Sequence, residues 1–532
     1  MRTDSGVITS TSKLPWTAAI AFASSKSTPG LRVVGLWRRF PLGSGINLLL
    51  RVREMSARPQ NPDLPIMLVR TAREIPGYTV TQPLGILYLA AQLRRRGYRN
   101  LRLLDMRPDR LSVGDLMRQI ASFRPRLLGL SCLSYEAPTV AEIAEQVRQL
   151  DPGIHIALGG PLPSSMRRES FERVDADSIA VGEGERTIVA LADGLGSGRF
   201  PPRDGSSDGV PGLGFRGRNG SSEVSEPGYI EQMDELPLPA WDLLDISRYY
   251  GRANFNFFLK NPRYMSVMTT RGCPYRCAYC HNVLGKRFRK RSVDHVMREI
   301  HALVRMGIGE IHFIDDSFNL DLDRAKAILN EVARIRPRLA LAFPNGLRSD
   351  RLDEEFLVKA RAAGAYKINF AVETASERLQ TKIRKNLDLE KVREMIAIND
   401  RLGIIGHGFF MLGFPTETEQ EMQTTVQYAL DSRLHTANFF VVQPFEGTDI
   451  YEMFREQRPE MFNDAGQFDY YQANFEIYEI PAERVQQIVK DAHRRFFLEP
   501  WRALRLLRLM PHKTSLIDGA VRLAYRGFLG KG

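Results

Sequence analysis

The 532-residue sequence predicts an α/β protein with two sheets in series. An N-terminal doubly wound parallel sheet (61–198) comes first, then a partial (β/α)6 barrel (259–480), then a C-terminal helical tail (481–532). Three observations predict it. The length exceeds what one ordinary core organises. Short apolar runs alternate with amphipathic stretches in two separate blocks, the pattern of parallel sheets. Between the blocks, residues 196–235 are dense in Gly, Pro and Ser and cannot pack a core.

In the first block, IMLV (66–69), LRLLD (101–105), LLGLSCL (127–133), IHIAL (154–158) and SIAVG (178–182) read as buried strands. Residues 83–97, 113–123, 138–150 and 165–173 read as the helices between them. Ligands in such sheets sit at the carboxyl ends of the strands. The break reads as a linker over 199–258, with a small hairpin around 210–225. In the second block, strands are expected at 264–270, 310–314, 339–343, 367–372, 406–412 and 437–442. Helices fall at about 292–306, 323–335, 353–363, 388–402 and 417–431. Six βα units are too few for a closed eight-fold barrel and suit one open on one side.

The two ends differ from the body. Residues 1–60 support no element and read as a flexible basic extension, or translation begins at Met55. LPWTAAIAFAS (14–24) resembles a signal-peptide core only faintly. Residues 481–510 read as helical with a break near Pro500. There Arg502, Arg505 and Arg508 recur every third position, and Trp501, Leu504, Leu507 and Met510 share an opposing face. This is a terminal helix packed on the barrel or, on a sharper reading, a membrane-surface contact.

Hydrophobic content of 43% and charged content of 26% are those of a soluble globular chain. The net charge of +12 is unevenly placed: nine basic against two acidic residues in 1–60, and eleven against four in 481–532. The body between is close to neutral. Basic character therefore belongs to the ends and not to a groove, and no nucleic-acid partner is expected. No apolar run reaches the roughly 18 residues needed to span a bilayer.

Only four cysteines occur: Cys132, Cys273, Cys277 and Cys280. A disulfide framework would scatter them and need more. Three clustered thiols in a Cys-poor chain indicate a metal or cluster site in a reducing compartment, the cytoplasm. They lie in RGCPYRCAYCHN (271–282), spaced C-x3-C-x2-C, after the first barrel strand. Three thiolates on one loop can each bind one iron of a cubane, leaving a fourth iron without a protein ligand. An open position marks a catalytic site; a structural zinc would need a fourth ligand.

This loop, with Tyr279 just before the last Cys, resembles the signature of the radical S-adenosylmethionine superfamily. The resemblance implies a 4Fe–4S cluster on Cys273, Cys277 and Cys280 whose open iron chelates S-adenosylmethionine. Reductive cleavage of the sulfonium would yield a 5′-deoxyadenosyl radical. It also implies a TIM-like six-unit barrel, with Tyr279 near the adenine. The other barrel strands end in matching places. IHFIDDSFN (311–319) brings Asp315 and Asp316, PNGLRSD (344–350) Asn345, INFAVETAS (368–376) Glu373, and GFFMLGFPTET (408–418) Gly413. VVQPFEGTDIY (441–451) closes the sixth strand. Glu373 stands where related enzymes hold S-adenosylmethionine by its polar groups.

The first sheet resembles the Rossmann-like cobalamin-binding domain that precedes the barrel in one subgroup. The matching marks are PLGILYLAAQLRRRGY (83–98), Ser131-Cys132-Leu133, Gly159-Gly160 and the VGEGE run (181–185) with Gly182 and Glu183. Gly-rich strand ends let backbone approach a bulky ligand. One departure stands out. The D-x-H-x-x-G pattern that carries a lower cobalt ligand is here Asp105-Met106-Arg107-Pro108-Asp109-Arg110, so this loop supplies no histidine. His155 reads as a core imidazole and Cys132 as a small buried hydrophobe.

The resemblance implies cobalamin-dependent methylation of an unactivated carbon of a lipid or natural product, or of a phosphinate phosphorus. A flavodoxin or ferredoxin would donate the electron. Two rivals remain: a cobalamin-dependent cyclase or rearrangement enzyme without methyl transfer, and a corrinoid-binding sensor or carrier with a structural cluster. Methylthiolation of RNA or protein is disfavoured, because only Cys132 lies outside the loop. The expected location is the cytoplasm, with a peripheral contact at the inner face of the membrane.

Overall fold

The computed structural model describes residues 59–73, 80–200, 207, 209–217, 222–252, 258–281, 283–457 and 480–512. The expectations for residues 1–58 and for 513–532 lie outside these.

The first sheet has the order β2-β1-β3-β4-β5-β6. Strands β1 (Ile66–Arg70), β2 (Leu101–Asp105), β3 (Leu127–Ser131), β4 (His155–Gly159) and β5 (Ser178–Ala180) run parallel, each within two residues of its predicted bounds. Strand β6 (Leu213–Phe215) adds antiparallel to β5. Part of the expected linker therefore belongs to the sheet, because Leu213 and Phe215 are fully buried and Gly214 bridges Val224. Order reverses between β1 and β3, so the ligand crevice of a doubly wound sheet opens beyond Arg70 and Ser131.

Helix α1 (Leu84–Arg96) stops at Gly97, whose φ of 118° only glycine adopts readily. Helix α2 (Val113–Phe123) starts in a capping box between Ser112 and Asp115. Helix α3 (Ala137–Leu150) matches its prediction. The helix expected at 165–173 is broken into α4 (Pro161–Met166) and α5 (Ser170–Arg173), with Arg167 at positive φ between them. Helix α6 (Glu185–Gly196) packs beside α1. Helices α2 and α3 cover the other face around Leu116, Ile120, Val140, Ile143 and Val147.

The second sheet is all parallel and sequential, β14-β13-β12-β11-β10-β7. Its strands are β7 (Tyr264–Val267), β10 (Glu310–Phe313), β11 (Ala340–Leu347), β12 (Ala365–Glu373), β13 (Ile405–Leu412) and β14 (Thr436–Val441). A short antiparallel ribbon, β8 (Thr270–Arg271) with β9 (Arg289–Lys290), was not foreseen. The helices between are α7 (Val293–Arg305), α8 (Leu322–Ala333), α9 (Glu354–Ala363), α10 (Glu377–Lys382), α11 (Leu389–Arg401) and α12 (Glu419–Asp431). Helix α13 (Asp449–Gln457) follows β14. Strands β7 and β14 do not pair, so the barrel is open as expected. Unpaired β7 backbone is capped by a side chain. Gln82 Nε2 donates to the Tyr264 carbonyl at 3.1 Å, and its Oε1 accepts from the Ser266 amide at 3.2 Å. The pair imitates a neighbouring strand and blunts that edge.

The two sheets share one compact unit and one apolar cluster that runs from Leu87, Tyr88 and Trp241 to Val267, Phe313 and Ile368. Helix α14 (Ala482–Phe497) lays Val485, Ile488, Val489, Ala492 and Phe496 over β14. The chain breaks before α15 (Pro500–Leu509). Here Arg502 turns inward, Arg505 is half-buried and Arg508 stays exposed. Arg502 donates to the carbonyls of Leu434 and Leu430, each at 2.7 Å, and stacks 3.8 Å from the Phe496 ring centroid. Carbonyls in the last turn of α12 and just beyond it lack intrahelical donors, and arginine supplies them. Trp501 and Leu498 remain outside, 73% and 64% exposed.

Candidate functional site

The cluster loop leaves β8 at Arg271 and returns at β9, Arg289. Its entry needs glycine: a Cβ at Gly272 would meet the Arg287 carbonyl at 2.3 Å, and φ there is 79°. Cys273 and Cys277 are half-buried, and Cys280 is exposed. Ser317 Oγ donates to Cys273 Sγ at 3.5 Å. Surrounding protein, then Cys277, Cys273 and Asp316, push the Cys280 thiol up to about 12. Three thiolates so placed repel one another, and iron supplies the positive charge they lack. Among the described residues, no three His, Cys, Asp or Glu side chains converge as the ligands of a single ion would. The trio suits separate irons of a cubane.

Around this loop stand the barrel strand ends. Glu373, last residue of β12, has φ of 69° and follows a register shift in the pairing with β13. A non-glycine residue at that φ carries backbone strain of about 1–3 kcal/mol. Lys385 Nζ donates to Glu373 Oε1 at 3.2 Å and lies 5.9 Å from the Tyr279 ring centroid. Tyr279 packs edge-on against Phe414, and burial holds its hydroxyl well above its ordinary value. Asn345 is exposed and donates to the Ile314 carbonyl at 2.7 Å. Gly413, at φ 86°, and Phe414 donate their amides to Glu417 Oε2 at 2.6 and 2.9 Å. Asp316 opens onto this space; the protein around it, more than neighbouring Asp315, raises its carboxyl above the usual range.

Two expected site residues are committed elsewhere. Asp315 is buried, and its Oδ1 accepts from the Thr269 amide and both threonine hydroxyls at 2.7–2.8 Å. It ties the end of β10 to the start of β8, while its Oδ2 is buried with no hydrogen-bond partner among the described residues. Glu183 is also buried, and both its oxygens are taken by the Ile230 amide and Arg289. Sequence reading missed Lys385 and Glu417. Lys385 lies in the RKN turn (384–386), where Arg384 and Asn386 have positive φ and Arg384 Nε donates to the Arg276 carbonyl. Only that basic turn on the cluster loop signals it.

In the first sheet, Ser131, Leu133, Gly159 and Gly160 gather at the crevice. A Cβ on Gly160 would strike Cys132 backbone at 3.0–3.1 Å, whereas Gly159 faces open space. This glycine edge leaves room for a bulky planar group. Arg107, in place of the histidine, is buried and donates to Glu136 Oε1 at 2.6 Å. Glu136 Oε2 accepts from the Leu133 amide at 3.0 Å. His155 is the expected core imidazole, 2.8 Å from Ser178 Oγ, with burial lowering its pKa to about 4. Cys132 is buried in the apolar cluster.

The carboxyl ends of the two sheets meet. A Cβ on Gly182 would lie 3.0 Å from Pro227 and 3.9 Å from the Val283 carbonyl of the cluster loop. Ser165 of α4 touches Gly447 beyond β14, and Arg173 of α5 pairs with buried Glu446 at 2.9 Å.

Residues 267–429 match the model of the radical SAM superfamily, and residues 76–192 match the model of the B12 binding domain. The chain is a radical SAM enzyme. It belongs with those members whose barrel follows a B12 binding domain, and the cofactors of that class are a 4Fe–4S cluster, S-adenosylmethionine and cobalamin. It is 27% identical to an uncharacterized methyltransferase of Pyrococcus horikoshii, over 84% of this chain and 93% of that protein. It is 27% identical to cytidylyl-2-hydroxyethylphosphonate methyltransferase of Streptomyces wedmorensis, over 70% and 77%. The solved structure of TsrM from Kitasatospora setae, with tryptophan and a SAM analog bound, superposes with a TM-score of 0.61 at 21% identity. That match covers 84% of this chain and 89% of that one. No helix among the described residues is long and apolar enough to cross a membrane.

Proposed function

We propose that this chain methylates an unactivated carbon of a small-molecule substrate, a lipid or natural product, with cobalamin as methyl carrier. The single observation that carries the reading is the approach of Gly182, beyond the carboxyl end of β5, to Val283 of the cluster loop. The methyltransferases among its relatives support it. When bound, the cluster and corrinoid supply the electron, the radical-forming cleavage and the methyl group.

The chain's own share is holding and shielding. Cys273, Cys277 and Cys280 would hold the cluster. Glu373, Asn345 and the Gly413 turn would orient S-adenosylmethionine, with Tyr279 along its adenine. Ser131, Leu133, Gly159 and Gly160 would seat the corrinoid, and Gly182 would line the seam. The Arg173–Glu446 pair would bridge the seam and help to shield the space between. A flavodoxin or ferredoxin donates the electron.

Anaerobically reconstituted protein should release 5′-deoxyadenosine and give a product heavier by one methylene. A product of unchanged carbon count would favour the cyclase reading; one relative is the anaerobic magnesium-protoporphyrin IX monomethyl ester cyclase of Rubrivivax gelatinosus, 23% identical. Failure to cleave S-adenosylmethionine at all, with the cluster intact, would leave only a corrinoid carrier.

The substrate side includes a lipid surface. Outward Trp501 and Leu498 beside a basic C-terminal segment suit an anionic bilayer.

A further inference from the structure

We propose that Glu183, with Arg271 and Arg289, is a positioning clamp that sets the register of the cluster loop against the corrinoid sheet. The proposal rests on the two-cofactor reading above. Arg271 and Arg289 face each other across the β8–β9 ribbon, the neck of the loop that carries all three cluster cysteines. Both reach out of the barrel into the first sheet's last βα turn. Glu183 Oε1 accepts from Arg289 Nη1 at 2.6 Å and lies 3.5 Å from Arg271 Nη1. Glu185, first residue of α6, accepts from Arg271 Nη2 at 2.5 Å.

The rest of the neck is tied to the same point. Glu183 Oε2 accepts from the Ile230 amide at 2.7 Å, and Arg289 donates to the Ile230 carbonyl at 3.1 Å. Arg289 also donates to the Leu284 carbonyl at 2.5 Å, inside the loop. The two guanidiniums stack on aromatic rings, Arg271 on Tyr88 of α1 and Arg289 on Tyr229. Gly285 fits under Tyr229, where a Cβ would come within 2.8 Å of the ring.

All four charged side chains are at most 5% exposed. Two carboxylates and two guanidiniums balance, but desolvating four charges is costly, and apolar residues would stabilise such a seam as well or better. What the ion set adds is direction. Forked arginine contacts admit one docking register, whereas an apolar seam can slide. Methyl transfer to a substrate held between the two cofactor sites would depend on that register, since misplacement by about 1 Å can cost about 100-fold in rate.

The test compares full-length wild type with Glu183→Gln, which keeps size and the acceptor for Ile230 but removes the charge. In cofactor-free protein, amide hydrogen exchange over 226–231 and 283–290 should rise about tenfold or more, with 365–373 unchanged. In loaded protein, methylated product per 5′-deoxyadenosine should fall about tenfold or more, while deoxyadenosine formation persists. Dipolar broadening between the reduced cluster and cob(II)alamin in electron paramagnetic resonance should also change. Glu185→Gln, which loses one contact only, should shift each readout the same way by less, and it carries the test if Glu183→Gln does not fold. Unchanged exchange with unchanged broadening overturns the clamp, as does loss of product and deoxyadenosine in equal proportion. If wild type forms deoxyadenosine but no methylated product, the methyl-transfer reading fails, and exchange and broadening still decide the clamp.

Discussion

Glu373 and Lys385 meet at 3.2 Å at the carboxyl end of β12, both side chains at least nine-tenths buried, with the Glu373 backbone held at φ 69°. The ion pair places one anion and one cation beside Tyr279 of the cysteine loop, charges that complement those of a zwitterionic amino-acid group. Replacing Glu373 by Gln removes the anion and leaves the ammonium uncompensated. S-adenosylmethionine affinity should fall by about 1.5–3 kcal/mol, the worth of a charged hydrogen bond. Equilibrium binding to anaerobically reconstituted protein checks this; wild-type affinity would exclude Glu373 from the site.

Cys277→Ala should abolish S-adenosylmethionine cleavage while leaving corrinoid binding intact. The glycine edge that would seat the corrinoid is built from β3 and β4, on a different sheet from the loop. Iron content, deoxyadenosine release and the visible corrinoid spectrum report the two sites separately. Loss of corrinoid together with the cluster would mean the two sites do not fold independently.

Burial lifts the Glu417 carboxyl to about 8, outweighing the two amides of Phe414 and Gly413 that pull it down. The folded state thus holds a proton that the unfolded chain releases near pH 4.5. This contribution to stability is complete below pH 4.5 and is lost as pH rises toward 8, with a slope of about 1.4 kcal/mol per pH unit. Glu417→Gln should remove that slope and raise stability at pH 8. Denaturant titrations of both proteins at several pH values test it; parallel pH profiles would refute it.

Arg107→Ala should cost about 3–5 kcal/mol, because Glu136 is left as a buried unpaired charge. Adding Glu136→Gln should recover a large part of the loss. Chemical denaturation of the single and double variants measures both, and a cost below about 1 kcal/mol would mean that water reaches the pair.

Trp501→Ala with Leu498→Ala should leave stability within about 0.5 kcal/mol, as exposed sites do, and weaken co-sedimentation with anionic vesicles. Zwitterionic vesicles serve as the control. Equal sedimentation of variant and wild type would dismiss the lipid contact.

All eleven parallel strands among the described residues were legible because their evidence is local: apolar runs of strand length between amphipathic stretches. The missed pieces are those whose partners lie far off in sequence. Strand β6, within the hairpin expected around 210–225, is three residues whose pairing with β5 no local pattern shows, and the β8–β9 ribbon is two residues on each side. The broken helix at 161–173 follows from a turn at Arg167 that no periodicity announces.

The sequence by itself determined the two-sheet plan, the three cysteines on one loop and the absence of a histidine at position 107, since spacing and side-chain identity need no third dimension. Only the tertiary structure decided which charges do what. Glu183 and Glu373 look alike in the chain, each a carboxylate at or just beyond a strand end, yet one is sealed among arginines of the β8–β9 ribbon and the other faces a lysine beside the cluster loop. Arg502, one of three arginines at helical spacing, is buried on carbonyls where Arg508 is exposed. A charge takes its role from the partner that folding brings to it, and that partner lies tens to hundreds of residues away.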